Sequence, residues 1–266
     1  MIWIALVLGI VEGLTEFLPV SSTGHLIIAG HVLGYTGDTA ATFEIFIQLG
    51  AILAVVWEYR ARLTSVAMNA FTDKASRGLV VNLAIAFVPA AAAGFLLHKA
   101  IQTYLFSPIT VAGALVAGGV AMLVIEKTRP RVVVTDLMSV PWKGALGIGL
   151  AQVMSLFPGV SRAAATIMGG MLLGLDRKTS TEFSFFLAIP TLLAATLYQL
   201  AKSWHMLTTD DLGLFAAGFL AAFVSALAAV RLFVRYISGH DFRPFAWYRI
   251  ALGAVVLALA ALSKSF

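Results

Sequence analysis

Read for apolar and polar positions, the chain is a series of long uncharged runs separated by short polar breaks. A helix that crosses a lipid bilayer needs about 20 predominantly apolar residues. Four uncharged runs approach that length, at 79–97, 108–125, 183–201 and 212–230. Two more, 43–57 and 244–263, become long enough with their amphipathic ends. Four shorter apolar runs remain, at 1–11, 26–35, 144–157 and 163–175, and they form two pairs, each split by a Pro/Ser/Gly segment. A pair of runs too short to span, with a helix break between them, predicts a helical hairpin that enters the membrane and turns back. The pattern therefore predicts an all-α integral membrane protein with six transmembrane helices and two re-entrant helical hairpins. The first run has no basic leader and no small-residue cleavage site, and Glu12 and Glu16 follow it at once, so it is expected to belong to the mature fold.

Composition narrows the class further. Of 266 residues, 60% are hydrophobic and only 12% are Asp, Glu, Lys or Arg, with a mean hydropathy of +0.94. That charged share is about half the average for a soluble domain and too small to cover a water-borne core of this size. A disordered chain and a coiled coil are excluded on the same ground. The bilayer is the natural solvent and membrane lipids are the expected surroundings. The sequence has no Cys, which excludes a disulfide framework, a thiolate zinc site and a thiol nucleophile. The net charge of +5 is spread over many loops, so no nucleic-acid partner is expected.

Basic residues orient the spans, because cytoplasmic loops carry an excess of Lys and Arg. If the segment 58–78 is cytoplasmic, then Arg60, Arg62, Lys74, Arg77, Lys127, Arg129, Arg131, Lys143, Arg177, Lys178, Arg231, Arg235 and Arg243 fall on or near that side, and Lys99, Lys202 and Lys264 fall opposite. Arg162 and Arg249 belong to neither set. In this orientation the first hairpin enters from outside and the second from the cytoplasm.

The two hairpins are related by a shift of 140 positions: Gly9, Phe17, Val20, Ser21, Gly30, Leu33 and Gly34 meet Gly149, Phe157, Val160, Ser161, Gly170, Leu173 and Gly174, and Glu12 meets Gln152. After a two-residue deletion, Asp38 and Glu44 meet Asp176 and Glu182. Each copy is one hairpin followed by three spans, 1–143 and then 144–266, within one membrane domain. Three is odd, so the second copy is inverted relative to the first. Inversion brings the two hairpin tips together near the membrane midplane.

The tips carry the candidate chemistry. The first reads EGLTEFLPVSSTGH over residues 12–25. Glu12 and Glu16 share one helix face at i, i+4. Pro19 ends that helix, Ser21 or Ser22 is placed to cap the next, and His25 lies one turn further. The second tip reads PGVSRAAAT over residues 158–166, with Ser161 and Arg162 at a helix start and Thr166 a turn later. Two helix N-termini aimed at one spot suit an anion, and a guanidinium adds a fork matched to phosphate oxygens. A charge at mid-bilayer costs roughly 2.5–3.5 kcal/mol, so such residues are functional candidates. The alternatives are a structural ion-pair network for Glu12, Glu16 and Arg162, and capping roles for Ser21, Ser22 and Thr23. Asp38, Asp176, Glu44 and Glu182 read as helix-start charges. Arg249 reads as an interfacial anchor or a second anion contact. Broken helices in inverted repeats also mark secondary transporters, so a flippase or carrier for a lipid phosphate or other anion stands as the alternative to an enzyme.

At these residues, and along FEIFIQLGAILAV and EFSFFLAIP, the chain resembles the undecaprenyl-pyrophosphate phosphatase family of the bacitracin-resistance type. Ala163 stands where that family commonly has a second Ser. The resemblance implies a bacterial plasma-membrane enzyme that hydrolyses undecaprenyl diphosphate to the monophosphate and inorganic phosphate, recycling the lipid carrier for cell-wall synthesis. It implies an active site open to the outer face, a homodimer, and dependence on a divalent cation such as Mg²⁺ or Ca²⁺. On that footing Ser22 is the expected nucleophile and His25 its general base or orienter, the alternative being that Ser22 only binds phosphate while water attacks directly. Ser21, Thr23, Gly24, Ser161, Arg162 and Thr166 are expected to hold phosphate, and Glu12 and Glu16 to bind the cation or shuttle a proton.

Overall fold

The computed structural model describes residues 1–105, 107–128, 131–203 and 212–262, apart from the side chains of Asp38, 98–100, 102–104, Pro108, Ser203 and 259–262. The side chains of Lys99 and Asp38, and all of Arg129 and Lys264, thus lie outside the described residues. Eleven α-helices and no strand occur among the described residues: α1 (Ile2–Thr15), α2 (Ser22–Leu33), α3 (Asp38–Glu58), α4 (Arg60–Asn69), α5 (Lys74–Tyr104), α6 (Pro108–Thr128), α7 (Trp142–Val153), α8 (Arg162–Leu172), α9 (Arg177–Ser203), α10 (Leu212–Ile237) and α11 (Arg243–Leu262). Single 3₁₀ turns fall at Leu137–Ser139 and Met154–Leu156.

Five helices hold a segment long and apolar enough to cross a membrane: Thr39–Glu58, Lys74–Leu97, Ile109–Thr128, Arg177–Lys202 and Leu212–Ile237, with mean hydropathies of 1.6 to 2.2. They correspond to five of the six expected spans, and the sixth segment forms helix α11. Both short pairs fold as helix, break, helix: α1 and α2 around residues 16–21, α7 and α8 around residues 154–161. Many large apolar side chains point outward, among them Val88, Phe95, Leu96, Leu220 and Val224, as lipid-facing helices require. The segment 58–78, which reads as a loop, instead contains the polar helix α4. Asp73 then caps α5, its carboxylate accepting from the Ser76 amide at 2.7 Å.

Small residues let the hairpins pack closely on the spans. Helix α1 lies against α10, and α7 against α5. At these contacts a Cβ on Gly9 would overlap the Gly218 carbonyl oxygen, and a Cβ on Gly149 would overlap the carbonyl oxygen of Ala86. Without a hydrophobic force between helices in lipid, backbone proximity of this kind supplies the packing energy. Around the two breaks sits an apolar core that includes Phe17, Ala163, Ile167, Phe185 and Phe233. Phe17 meets Phe185 edge-on at 5.4 Å between ring centroids.

The overlap at Gly9 gives a direct check on this packing. Gly9→Ala is expected to destabilise the folded protein in detergent by about 1–3 kcal/mol, the usual cost of overpacking. A melting temperature equal to wild type would show that α1 and α10 are not held at backbone contact.

Candidate active site

Both hairpins break in the same local geometry. Among the described residues, Ser21 at φ 73° and Ser161 at φ 72° are the two non-glycine residues with positive φ. Each is an N-cap, Ser21 Oγ accepting from the Gly24 amide at 3.4 Å and Ser161 Oγ from the Ala164 amide at 3.2 Å. The first helical residue after the cap is Ser22 in one hairpin and Arg162 in the other. The repeat therefore places a hydroxyl and a guanidinium at equivalent positions on two facing helix starts.

Glu16 joins them. Ser22 Oγ donates to Glu16 Oε2 at 2.6 Å, and Arg162 Nη2 donates to Glu16 Oε1 at 3.1 Å. All three residues are buried, at 8%, 6% and 9% exposure for Ser22, Glu16 and Arg162. Arg162 Nη1 donates to the backbone oxygen and the hydroxyl of Ser184 at 3.1 and 3.2 Å. Thr166 extends the network: its hydroxyl donates to the Arg162 carbonyl at 2.9 Å and lies 2.6 Å from Ser184 Oγ. Arg162 also stacks over Phe17, 5.5 Å from the ring centroid. The sequence Ser22–Glu16–Arg162 is a hydroxyl paired with a carboxylate base, which is in turn oriented by a cation.

The remaining expected residues divide. Glu12 lies one turn before Glu16, buried, with Oε1 lacking a hydrogen-bond partner. Its repeat counterpart Gln152 is likewise buried with a bare Oε1. Ser21, Ser161 and Thr166 have their hydroxyls committed to caps and to the Ser184 network. Thr23 is exposed, while Gly24 is buried with its amide held by Ser21. His25 does not reach Ser22. Its Nδ1 donates to the Ser21 carbonyl at 2.7 Å, which leaves Nε2 to accept from the Tyr248 hydroxyl at 2.6 Å, and the two rings stack. Glu16, not His25, is the base within reach of Ser22. Ala163 is fully buried in the apolar core, so no hydroxyl is called for there. Asp176 caps α9 as a helix-start charge, accepting from the Thr179 amide at 2.7 Å. Glu182 instead accepts from Arg62 Nη1 at 2.8 Å.

Two contributions were not legible along the chain. Ser184 sits in an apolar span with nothing around it to mark it. Arg249, read as an interfacial anchor or a second anion contact, is fully buried. Its guanidinium donates to the carbonyls of Pro19, Val160, Gly159, Ala114 and Leu115 at 2.9–3.4 Å.

A divalent cation can be tested against the donor set. Among the described residues no group of three His, Cys, Asp or Glu could hold a metal ion. Glu16 spends both oxygens on Ser22 and Arg162, so Glu12 Oε1 is the free hard oxygen of the cluster. One carboxylate does not fit a protein-only site. It does fit a cation of the Mg²⁺ kind, which takes one or two carboxylates and shares substrate phosphates.

Helices of this length and apolarity, with a buried hydroxyl, carboxylate and guanidinium meeting between two helix breaks, define a multi-pass membrane protein with a polar cluster among its helices. The chain belongs to the family of the bacitracin resistance protein BacA, whose family model matches residues 5–255. It is similar to the undecaprenyl-diphosphatase of Nitrosomonas europaea, 56% identical over 256 residues that cover 96% of this chain and 93% of that protein. It is likewise similar to the undecaprenyl-diphosphatases of Dechloromonas aromatica, at 54% identity with 96% and 93% coverage, and Ectopseudomonas mendocina, at 50% with 97% and 94%.

The strained caps make a measurable prediction. At φ near 72° an L side chain is disfavoured by about 1–2 kcal/mol, a cost that glycine escapes. Replacing a capping Ser by Ala costs about 0.5–2 kcal/mol, and by Gly only a few tenths. Ser161→Gly is therefore expected to unfold later than Ser161→Ala in detergent denaturation, the reverse of the order inside a helix.

Proposed function

We propose that the protein hydrolyses undecaprenyl diphosphate to undecaprenyl phosphate and inorganic phosphate, and so returns the lipid carrier to cell-wall synthesis and confers bacitracin resistance. The names of its relatives point to the substrate, and the Ser22–Glu16–Arg162 cluster carries the reading for this chain. Ser22 Oγ attacks the terminal phosphorus while Glu16 takes its proton. The new P–O bond forms as the bond from phosphorus to the bridging oxygen breaks, and undecaprenyl phosphate leaves. Glu16 passes that proton to the departing phosphate and then deprotonates a water whose oxygen attacks the phosphorus. The bond to Ser22 Oγ breaks, Glu16 returns the proton to that oxygen, and inorganic phosphate is released. Arg162 holds the terminal phosphoryl oxygens and stabilises the charge that builds on them. Glu12 is the residue that would hold a divalent cation, which would supply neutralising charge to the diphosphate. His25, fixed between Ser21 and Tyr248, steadies the start of α2.

In this reading α11 is the sixth span, and the hairpins α1/α2 and α7/α8 are re-entrant arms of an inverted repeat. Three observations support it: the matched caps at Ser21 and Ser161, the matched close contacts at Gly9 and Gly149, and the exchange of partners whereby each hairpin packs on a span of the other half. The excess of basic residues on one side supports an orientation with that side cytoplasmic; a plasma-membrane location and a centre open to the outer face rest on family resemblance. A homodimer follows from family resemblance alone.

Purified protein in detergent, where no gradient exists, is expected to release phosphate from undecaprenyl diphosphate. Glu16→Gln is expected to lower kcat about 10²–10⁴-fold, the range of a lost general base. Ser22→Ala should fall at least as far and lose any phosphoenzyme trapped by rapid quench. Near-normal turnover by Ser22→Ala would remove the nucleophile, and absence of release by wild type would favour the carrier alternative.

Chelation tests the cation separately. EDTA is expected to abolish phosphate release and added Mg²⁺ or Ca²⁺ to restore it, with Glu12→Gln raising the cation concentration required. Full activity in EDTA would take the cation out of the scheme.

A further inference from the structure

Arg249 is a fully buried cation whose hydrogen bonds, among the described residues, all end on backbone carbonyls. Three of those carbonyls belong to the two hairpin breaks. Nη1 reaches Pro19 O at 3.2 Å and Val160 O at 2.9 Å, and Nη2 reaches Gly159 O at 3.0 Å. Pro19 and Gly159 are equivalent in the repeat, so one planar fork ties matching points of the two arms. The other two carbonyls, Ala114 and Leu115, fasten the fork to α6.

We infer that Arg249 is a positioning residue for the phosphatase reaction: a clamp that sets the distance between the Ser22 arm and the Arg162 arm. The inference rests on the reading of Ser22, Glu16 and Arg162 as the reaction centre. Pro19 lies midway between Glu16 and Ser22 in the chain, and Val160 lies two residues before Arg162. Whatever fixes those two carbonyls relative to each other fixes the hydroxyl relative to the guanidinium. Glu16 touches both groups but is itself a reactant, so it cannot hold them at constant separation while its proton and partners change. Arg249 can, because it is always protonated and its planar fork offers five donors in rigid geometry. An apolar residue in its place would leave the break carbonyls unpaired in a membrane interior, where lipid offers them no donor. A lysine would keep the charge, but its single ammonium could not bridge both arms and α6 at once.

Gly118 on α6 gives an independent handle. A Cβ there would overlap Arg249 Nη2, so Gly118→Ala pushes the fork from behind without altering either arm. Misplacing reacting groups by about 1 Å costs on the order of 100-fold in rate. Arg249→Lys and Gly118→Ala are each expected to lower kcat for undecaprenyl diphosphate by about that factor with KM little changed. The double variant is expected to be little worse than Arg249→Lys alone, because both act through one fork.

The chain has no Cys of its own, so spin labels at Leu18→Cys and Phe157→Cys report the separation of the arms directly. Their distance distribution should be narrow in the wild-type background and broad with Gly118→Ala, in protein that remains folded. Three results overturn the clamp. One is wild-type kcat in Arg249→Lys, which would mean that charge alone suffices. The second is a loss that tracks the unfolded fraction with normal kcat per folded molecule. The third is full activity in Gly118→Ala with an unchanged distance distribution. If wild type itself releases no phosphate, or Ser22→Ala is fully active, the reaction-centre reading falls instead.

Discussion

A helix broken inside a membrane must satisfy its freed backbone groups from within the protein, since lipid offers no hydrogen bonds. Everything distinctive here follows from meeting that requirement twice. At each break a serine forced to positive φ turns its hydroxyl back onto the new helix and takes up an orphan amide. The opposite groups, the carbonyls at Pro19, Gly159 and Val160, converge on one guanidinium from α11. One amide of each new helix and three carbonyls of the breaks are thus paired within the protein. The chain is left kinked twice, with the first side chain of each new helix, Ser22 or Arg162, presented to Glu16.

The cluster that results is held by mutual need. A buried guanidinium without a counter-charge is expensive, and removing one partner of a buried ion pair typically costs about 3–5 kcal/mol. Glu16 supplies that counter-charge for Arg162 and spends its second oxygen on Ser22. The same contacts that make the charges tolerable in lipid leave a serine hydroxyl bonded to a carboxylate beside a phosphate-type fork. Ser184 accepts from Arg162 Nη1 on the side away from Glu16, so the guanidinium is oriented from two sides, while its Nε is left without a hydrogen-bond partner. Glu12, one turn back, is the part of the cluster left with an unpaired oxygen.

Much of this was legible along the chain. The apolar runs marked the spans, the Pro/Gly/Ser interruptions marked the breaks, and Glu16, Ser22 and Arg162 stood out because charge and hydroxyls in a membrane segment demand partners. His25 was read correctly as polar and close to Ser21, yet wrongly as facing Ser22. Spacing of three residues brings two side chains to one helix face, but it does not choose their rotamers, and Tyr248 from α11 decided the matter. Helix α4 was missed because a polar amphipathic segment between two spans has no strong apolar period.

What the sequence by itself determined is where the chain must be in lipid, where it must break, and which residues cannot sit there alone, because those follow from local hydropathy and local backbone preference. What only the tertiary structure decided is which groups meet: that Glu16 serves Ser22 and Arg162 together, that Ser184 backs Arg162, and that Arg249 turns inward to bind five carbonyls rather than outward to the interface. Those choices depend on contacts between residues as much as 230 positions apart. Backbone carbonyls, which every residue carries, leave no mark in the sequence to say which of them will need a partner.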